Sequence, residues 1–342
     1  MSAISNTSKK ISVALILTAF VLASTFMPSM ARVSAQTKQK GQEQKQEQKK
    51  DDQEITLEAQ LVQLDVDVID HNNMPVTNLK PGQFQVFEDK ISQTIKSVSR
   101  EEVPVSVGLV IDTSGSMRRK LPQVIDAAVN LVKQSRPHDE YFVVDFKDPE
   151  SINLVEDYTT NLNDVIDALK DMIASGGTAL FDALSVSAEH AKKGGKNRRK
   201  ALVVITDGVE KDSFYKKDEV LEKLRECDVQ LYMVGFTNDL DKESGLFHRS
   251  EKTAAEKLLK DVADDTGGRA FFPTELNQMK DISDEIARDL RQQYVITYIP
   301  SNTKHDGTFR RVQVKVNDNR NLVARTKTGY YATNDASTTP RK

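Results

Sequence analysis

The stretch VPVSVGLVIDTSGSM (residues 103–117) decides how the rest of the chain is read. An apolar run of strand length stops at Asp112, and three small hydroxyl residues follow around a glycine. Taken alone, Asp-x-Ser after a strand is an ordinary turn or a helix N-cap. The other reading is a set of oxygen ligands, Asp112, Ser114 and Ser116. The six residues DTSGSM do not choose between the two.

Downstream of this stretch, apolar strands alternate with helices. Leu121, Val124, Ile125, Ala128, Val129 and Val132 recur at helical spacing, with Pro122 suited to a first turn. YFVVDF (141–146) reads as a buried strand, and Leu162, Val165, Ile166, Leu169 and Ile173 mark a helix. A further helix is expected over about 178–193, ended by Gly194-Gly195. ALVVIT (201–206) is a nearly continuous apolar strand of the kind covered on both faces. A short helix (220–226), the strand VQLYMVGF (229–236), an amphipathic helix through Ala254 to Ala263, the short strand RAFFP (269–273) and a last helix (276–290) complete the series. This alternation predicts one doubly wound α/β domain with a mostly parallel sheet, over 103–293.

On either side the period changes to two. In VQLDVDVID, Val62, Leu64, Val66 and Val68 share one face. FQVFEDKISQTIKSV reads as a hairpin around Glu88-Asp89-Lys90. Beyond the α/β region, YVITYIP (294–300), FRRVQVKV (309–316) and LVARTKTGYY (322–331) read as strands. The β segments 54–102 and 294–332 are each small for an independent core. The expectation is one small all-β, sandwich-like domain built from both, with the α/β domain inserted in it. The alternative is two separate β appendages.

The N-terminus reads as an export signal over 1–35. Lys9 and Lys10 precede an apolar run, and Val33 and Ala35 suit a signal peptidase site. An uncleaved anchor is the other reading, because the run is near the lower length for spanning. Residues 36–53 carry no apolar side chain and read as a disordered polar linker; 333–342 read as a disordered tail. The single cysteine, Cys227, excludes an internal disulfide and reads as an inert core thiol. The formal charge of −3 offers no nucleic-acid footprint. Five scattered histidines give no zinc spacing.

Ligand groups of open α/β sheets gather at the carboxyl ends of strands. Asp112, Ser114 and Ser116 follow one strand there, and Asp207 follows ALVVIT in VITDG. Thr178 opens a helix behind Gly176-Gly177. If the first and fourth strands lie side by side, Asp112 and Asp207 come together. Each piece alone has an ordinary turn or cap reading; their joint occurrence points to a metal. Two carboxylates and three hydroxyls suit Mg²⁺ or Mn²⁺ rather than zinc. Such a site leaves the cation incompletely neutralised and open to an acidic oxygen from another molecule.

DTSGS, GGT and TDG in this frame resemble the von Willebrand factor A domain over about 103–293. The resemblance implies a metal-ion-dependent adhesion site in which Ser114, Ser116 and Thr178 bind Mg²⁺ by their hydroxyls. Asp112 and Asp207 would act mostly through bound water, and a partner's carboxylate would complete the shell. The flanking segments, from VQLDVDVID to the final GYYA, are similar to a family of secreted bacterial von Willebrand factor A-related proteins. Lys90 departs from that pattern, which has a glycine after Glu-Asp.

The expected function is an exported, metal-dependent protein-binding module of adhesion type, with no membrane span once the signal is removed. The alternative is a structural or assembly component of an envelope complex that uses the metal for stability or docking. An enzyme is disfavoured, since DTSGSM is no nucleophile elbow. Candidate partner contacts are Arg118 and Arg119, beside the metal loop, and Phe247, His248 and Arg249, in the insert 238–251. The basic run KKGGKNRRK (192–200) lies at the opposite end of the sheet and reads as a solvated connection.

Overall fold

The computed structural model describes residues 61–100, 102–241 and 248–333. The signal, the linker and residues 334–342 of the tail lie outside the described residues. The chain enters through four strands, β1 (Val62–Ile69), β2 (Phe84–Glu88), β3 (Ile91–Gln93) and β4 (Ile95–Ser99). The alternating apolar positions of β1, Val62, Leu64, Val66 and Val68, are all buried. Asp89 and Lys90 join β2 to β3 with φ of 46° and 70°. Two positive φ values in a two-residue loop are those of a type I′ turn, whose twist matches that of the strands. A lysine therefore sits where glycine or asparagine is ordinarily found.

The central part runs β5 (Val105–Asp112), α1 (Leu121–Lys133), β6 (Glu140–Phe146), β7 (Ile152–Thr159), α2 (Leu162–Lys170), α3 (Leu180–Gly194), β8 (Arg199–Thr206), α4 (Lys217–Cys227), β9 (Gln230–Gly235), α5 (His248–Asp265), β10 (Arg269–Phe271) and α6 (Met279–Asp289). Its six strands form one sheet in the order β10-β9-β8-β5-β6-β7, parallel except for β7, which runs antiparallel to β6. Alternate residues of β5 feed two cores. Val105, Val107, Leu109 and Ile111 pack with α1, α2 and α6, while Val110 packs with α3, α4 and α5. This is the doubly wound α/β arrangement expected from the alternation. The edge strand β7 escaped the sequence reading. Only one side of it is covered, and exposed Leu154 and Val155 blur its period of two.

The chain leaves through β11 (Tyr294–Tyr298), β12 (Phe309–Val316), β13 (Val323–Arg325) and β14 (Gly329–Tyr331). Strands from the two ends pair in two antiparallel sheets, alternating in β13-β1-β11-β4 and meeting at β12-β2 in β14-β12-β2-β3. Leu64 stands opposite Ile296, and Val86 opposite Val314. Their inner faces share one core that includes Leu64, Val66, Val86, Tyr298 and Tyr330. Glu88 is buried there, and its carboxylate accepts hydrogen bonds from the Tyr298 and Tyr330 hydroxyls, each at 2.8 Å.

Candidate metal centre

Because β5 and β8 are parallel neighbours in register, with Ile111 opposite Ile205, their carboxyl ends deliver Asp112 and Asp207 to one edge of the sheet. The loop after β5 is held by its own backbone. Thr113 N–H donates to Phe146 O at 2.9 Å, and its hydroxyl reaches Asp145 at 3.3 Å. Met117 is fully buried in the core and anchors the single turn of 3-10 helix Gly115–Met117. Ser114 is therefore buried while Ser116 stays exposed. The second loop is stitched to the first: Ser175 N–H donates to Thr113 O at 2.7 Å and Gly115 N–H to Gly176 O at 3.1 Å. Gly176 has φ of +78°, in the region glycine enters freely.

Four of the five candidate ligands form a continuous chain of contacts. Ser114 N–H donates to Asp112 Oδ1 at 2.9 Å, and the Ser114 and Ser116 hydroxyl oxygens are 3.1 Å apart. Ser116 Oγ donates to Asp207 Oδ2 at 2.5 Å. Thr206 Oγ1 donates to Asp112 Oδ2 at 2.6 Å and ties the two strand ends together. Thr178, the fifth, is buried, and its N–H donates to Asp212 Oδ2 at 3.2 Å. It lies two residues before α3, not within it, because the glycine pair continues as loop through Ala179.

Asp112 and Asp207 are both buried, and the electrostatics reflect it. The Asp112 carboxyl is pushed up to about 6, first by burial and second by the negative charge of Asp207; hydrogen bonds from Thr206 and Ser114 oppose the rise. A cation beside the Asp112 carboxylate would relieve the charge that burial and Asp207 disfavour. All the surrounding donors are hard oxygens, the chemistry of Mg²⁺ or Mn²⁺. Among the described residues, no group of three or more His, Cys, Asp or Glu side chains is placed to hold a metal, so any ion here would depend on the hydroxyls.

Carboxylates outside the sequence reading brace these loops. Asp148 Oδ1 accepts from Gly177 N–H at 2.8 Å, and Glu210 Oε2 accepts from Phe181 N–H at 2.9 Å. Asp182 accepts from Phe214 N–H and Tyr215 N–H, each at 3.0 Å. A methyl group on Gly177 would meet carboxylate oxygens of Asp212 and Asp148 at under 3.0 Å. Asp145, next to last in YFVVDF, and Asp148, two residues beyond it, fall at the carboxyl end of β6 as Asp112 falls at that of β5, which is the signal that would have found them. Arg118 lies on this edge and donates to Ala174 O at 3.4 Å; Arg119 is exposed beside it. Phe247 lies outside the described residues. His248 and Arg249 begin α5, and their side chains are likewise outside what is described.

Residues 106–285, more than half of the chain, match the von Willebrand factor type A domain. The chain belongs to this family. An uncharacterised protein of Synechocystis sp. is 30% identical over 107 residues, which are 31% of this chain and 26% of that protein. Inter-alpha-trypsin inhibitor heavy chain H4 of Bos taurus is 26% identical over 140 residues, 38% of this chain and 15% of the relative. The chain thus spans about a quarter or less of the length of these curated relatives. Among solved structures, a von Willebrand factor type A protein from Catenulispora acidiphila aligns with 84% of this chain and 77% of its own, at 15% identity and a TM-score of 0.45.

Proposed function

We propose that the protein is an exported protein-binding module whose grip on its partner depends on a divalent cation. In this reading Ser114, Ser116 and Thr178 hold Mg²⁺ or Mn²⁺ by their hydroxyls, and Asp112 and Asp207 hold it through water. When bound, the cation supplies a Lewis-acidic position that accepts a carboxylate oxygen from the partner. The chain's own groups orient the site: Thr206 fixes Asp112, and Asp148 and Asp212 hold the loop that carries Thr178. The observation that carries the reading is the convergence of two buried carboxylates and neighbouring hydroxyls from separate segments at one sheet edge. Non-catalytic action follows from the same arrangement, because Ser114 and Ser116 contact each other and a carboxylate rather than a histidine base.

The partner surface includes the rim of this site. Ile173 and Phe214, 75% and 76% exposed, lie on the loops that flank Thr178, with Arg118 and Arg119 nearby. Exposed aromatic and arginine side chains are the usual anchors of protein interfaces. Export rests on the 1–35 signal, cleaved after Ala35, with 36–53 as a spacer. Among the described residues no helix is long and apolar enough to cross a membrane. The strands 62–99 and 294–331 form, in this reading, one β domain that carries the inserted A domain. Their place among secreted bacterial relatives belongs to the same proposal.

The test is capture of envelope proteins on the immobilised full chain in Mg²⁺, with release by EDTA. Specific capture that disappears in Asp207→Ala and Ser114→Ala, with both variants still folded, is the expected result. Retention that ignores EDTA refutes cation-dependent binding. A cation effect on melting alone favours a structural or assembly role for the metal, the second reading that the buried carboxylate pair allows.

A further inference from the structure

The basic stretch KKGGKNRRK (192–200) is not a bare connection. It runs from the last turn of α3 into β8 and lines a cavity of about 500 Å³, between the amino ends of the central strands and the β1 strand of the flanking sheet. This volume falls in the range of small-ligand sites. The metal loops lie at the other end of β8, about 23 Å away along an eight-residue strand.

All six basic residues of the stretch, and Lys327, are among the residues that line this cavity. Three lining carboxylates, Asp65, Glu226 and Asp228, stand against those seven, and buried Glu140, which accepts from Lys196 N–H, adds a fourth. Helices α3 and α4 both end here, and their carbonyl ends each contribute roughly half a negative charge. A surplus of roughly two positive charges remains in one concavity, in a chain whose formal net charge is −3. Ion pairs stiffen one wall. Arg198 and Arg199 share Asp65 at 2.9 and 3.2 Å, and Lys327 holds Asp228 at 2.6 Å. Among the described residues no ion pair engages Lys192 or Lys196, and both are exposed.

The shape and chemistry of the lining narrow the ligand. The turn's amides are already committed: Gly195 N–H to Ala191 O, Lys196 N–H to Glu140 Oε1 and Asn197 N–H to Ser106 Oγ. Recognition therefore falls to several spaced ammonium and guanidinium groups, not to a backbone nest around one phosphate. Among the described residues no aromatic ring lines the cavity, so they offer no stacking platform of the kind single-stranded nucleic-acid sites use. A concave wall suits a compact ligand better than a planar bilayer. We propose that this cavity binds a sugar carrying several phosphate or sulfate groups, independently of the metal loops.

Isothermal titration of the full chain with sucrose octasulfate and with inositol hexakisphosphate, in EDTA, tests the proposal. One-to-one binding is expected, weakening as salt rises from about 50 to 200 mM. Lys192→Glu combined with Lys196→Glu should lower the affinity about tenfold or more, and the unchanged melting temperature of this exposed pair would show that the fold is intact. Absence of binding to both sugars overturns the proposal, as does equal affinity in the double variant. Loss of binding in EDTA refutes its independence from the metal loops. Tighter binding to an oligonucleotide or to phosphatidylglycerol vesicles than to either sugar assigns the cavity elsewhere and also overturns it.

Discussion

Replacing Asp112 by Asn should stabilise the metal-free protein while abolishing its response to Mg²⁺. Asp112 is buried, and its carboxyl rises from 3.8 to about 6 because burial and Asp207 disfavour its charge. A folded-state value above the unfolded one means that the native state holds the proton more tightly. Its stabilising contribution is full below pH 3.8 and is lost as pH climbs through about 6. At pH 7.5 the charged side chain therefore costs the metal-free fold on the order of 3 kcal/mol, from the difference between about 6 and 3.8. Asparagine removes the charge, keeps an acceptor for Ser114 N–H and turns an amide toward Thr206. For a domain of this size the relief corresponds to a rise in melting temperature of about 6–12 °C in EDTA. If Mg²⁺ binds wild type as proposed, it would supply the missing counter-charge, so its stabilising effect should be large at pH 7.5 and small at pH 5. Calorimetric melts of both proteins, with EDTA or Mg²⁺ at the two pH values, make the check. An Asn variant that melts lower than wild type in EDTA, or that still gains stability from Mg²⁺, would refute the reasoning.

Three further outcomes are expected. Gly177→Ala should weaken Mn²⁺ binding by about tenfold or more, because the new methyl group displaces the Asp148 and Asp212 carboxylates that hold the Thr178 loop; titration calorimetry with Mn²⁺ measures it. Phe214→Ala should lower partner retention by about tenfold and leave cation affinity unchanged, as for a truncated aromatic anchor; surface-immobilised capture and Mn²⁺ titration separate the two effects. Lys90→Gly should raise stability by up to about 1 kcal/mol, since φ of 70° costs lysine more than glycine loses in chain entropy; a thermal melt that does not rise counts against the type I′ assignment.

Much of the α/β architecture was legible because its signals are local. A strand buried on both faces must be apolar throughout, as in ALVVIT, and a helix on a sheet must repeat its apolar residues at three and four, as in Leu121 to Val132. The two-residue turn at Asp89-Lys90 was legible as a hairpin but not by type, since lysine gives no hint of a positive φ. Strand β7 was illegible for the opposite reason. It is half covered, so its pattern is set by one neighbour, β6, that lies close in the chain but leaves Leu154 and Val155 in solvent.

The sequence by itself determined the order of the strands and helices other than β7, and the chemical identity of the oxygen groups at their ends, because periodicity and residue type are properties of short segments. Only the tertiary structure decided that β8 adds beside β5, so that Thr206 reaches Asp112 and Ser116 reaches Asp207 across ninety-odd residues. It also decided that Asp148, Asp182, Glu210 and Asp212 brace the same loops, and that the basic run 192–200 lines a cavity. Those pairings depend on which strand ends share a sheet edge and how deeply each carboxylate is buried. Neither quantity exists until the hydrophobic faces of β5, β6, β8 and β9 have packed against their helices.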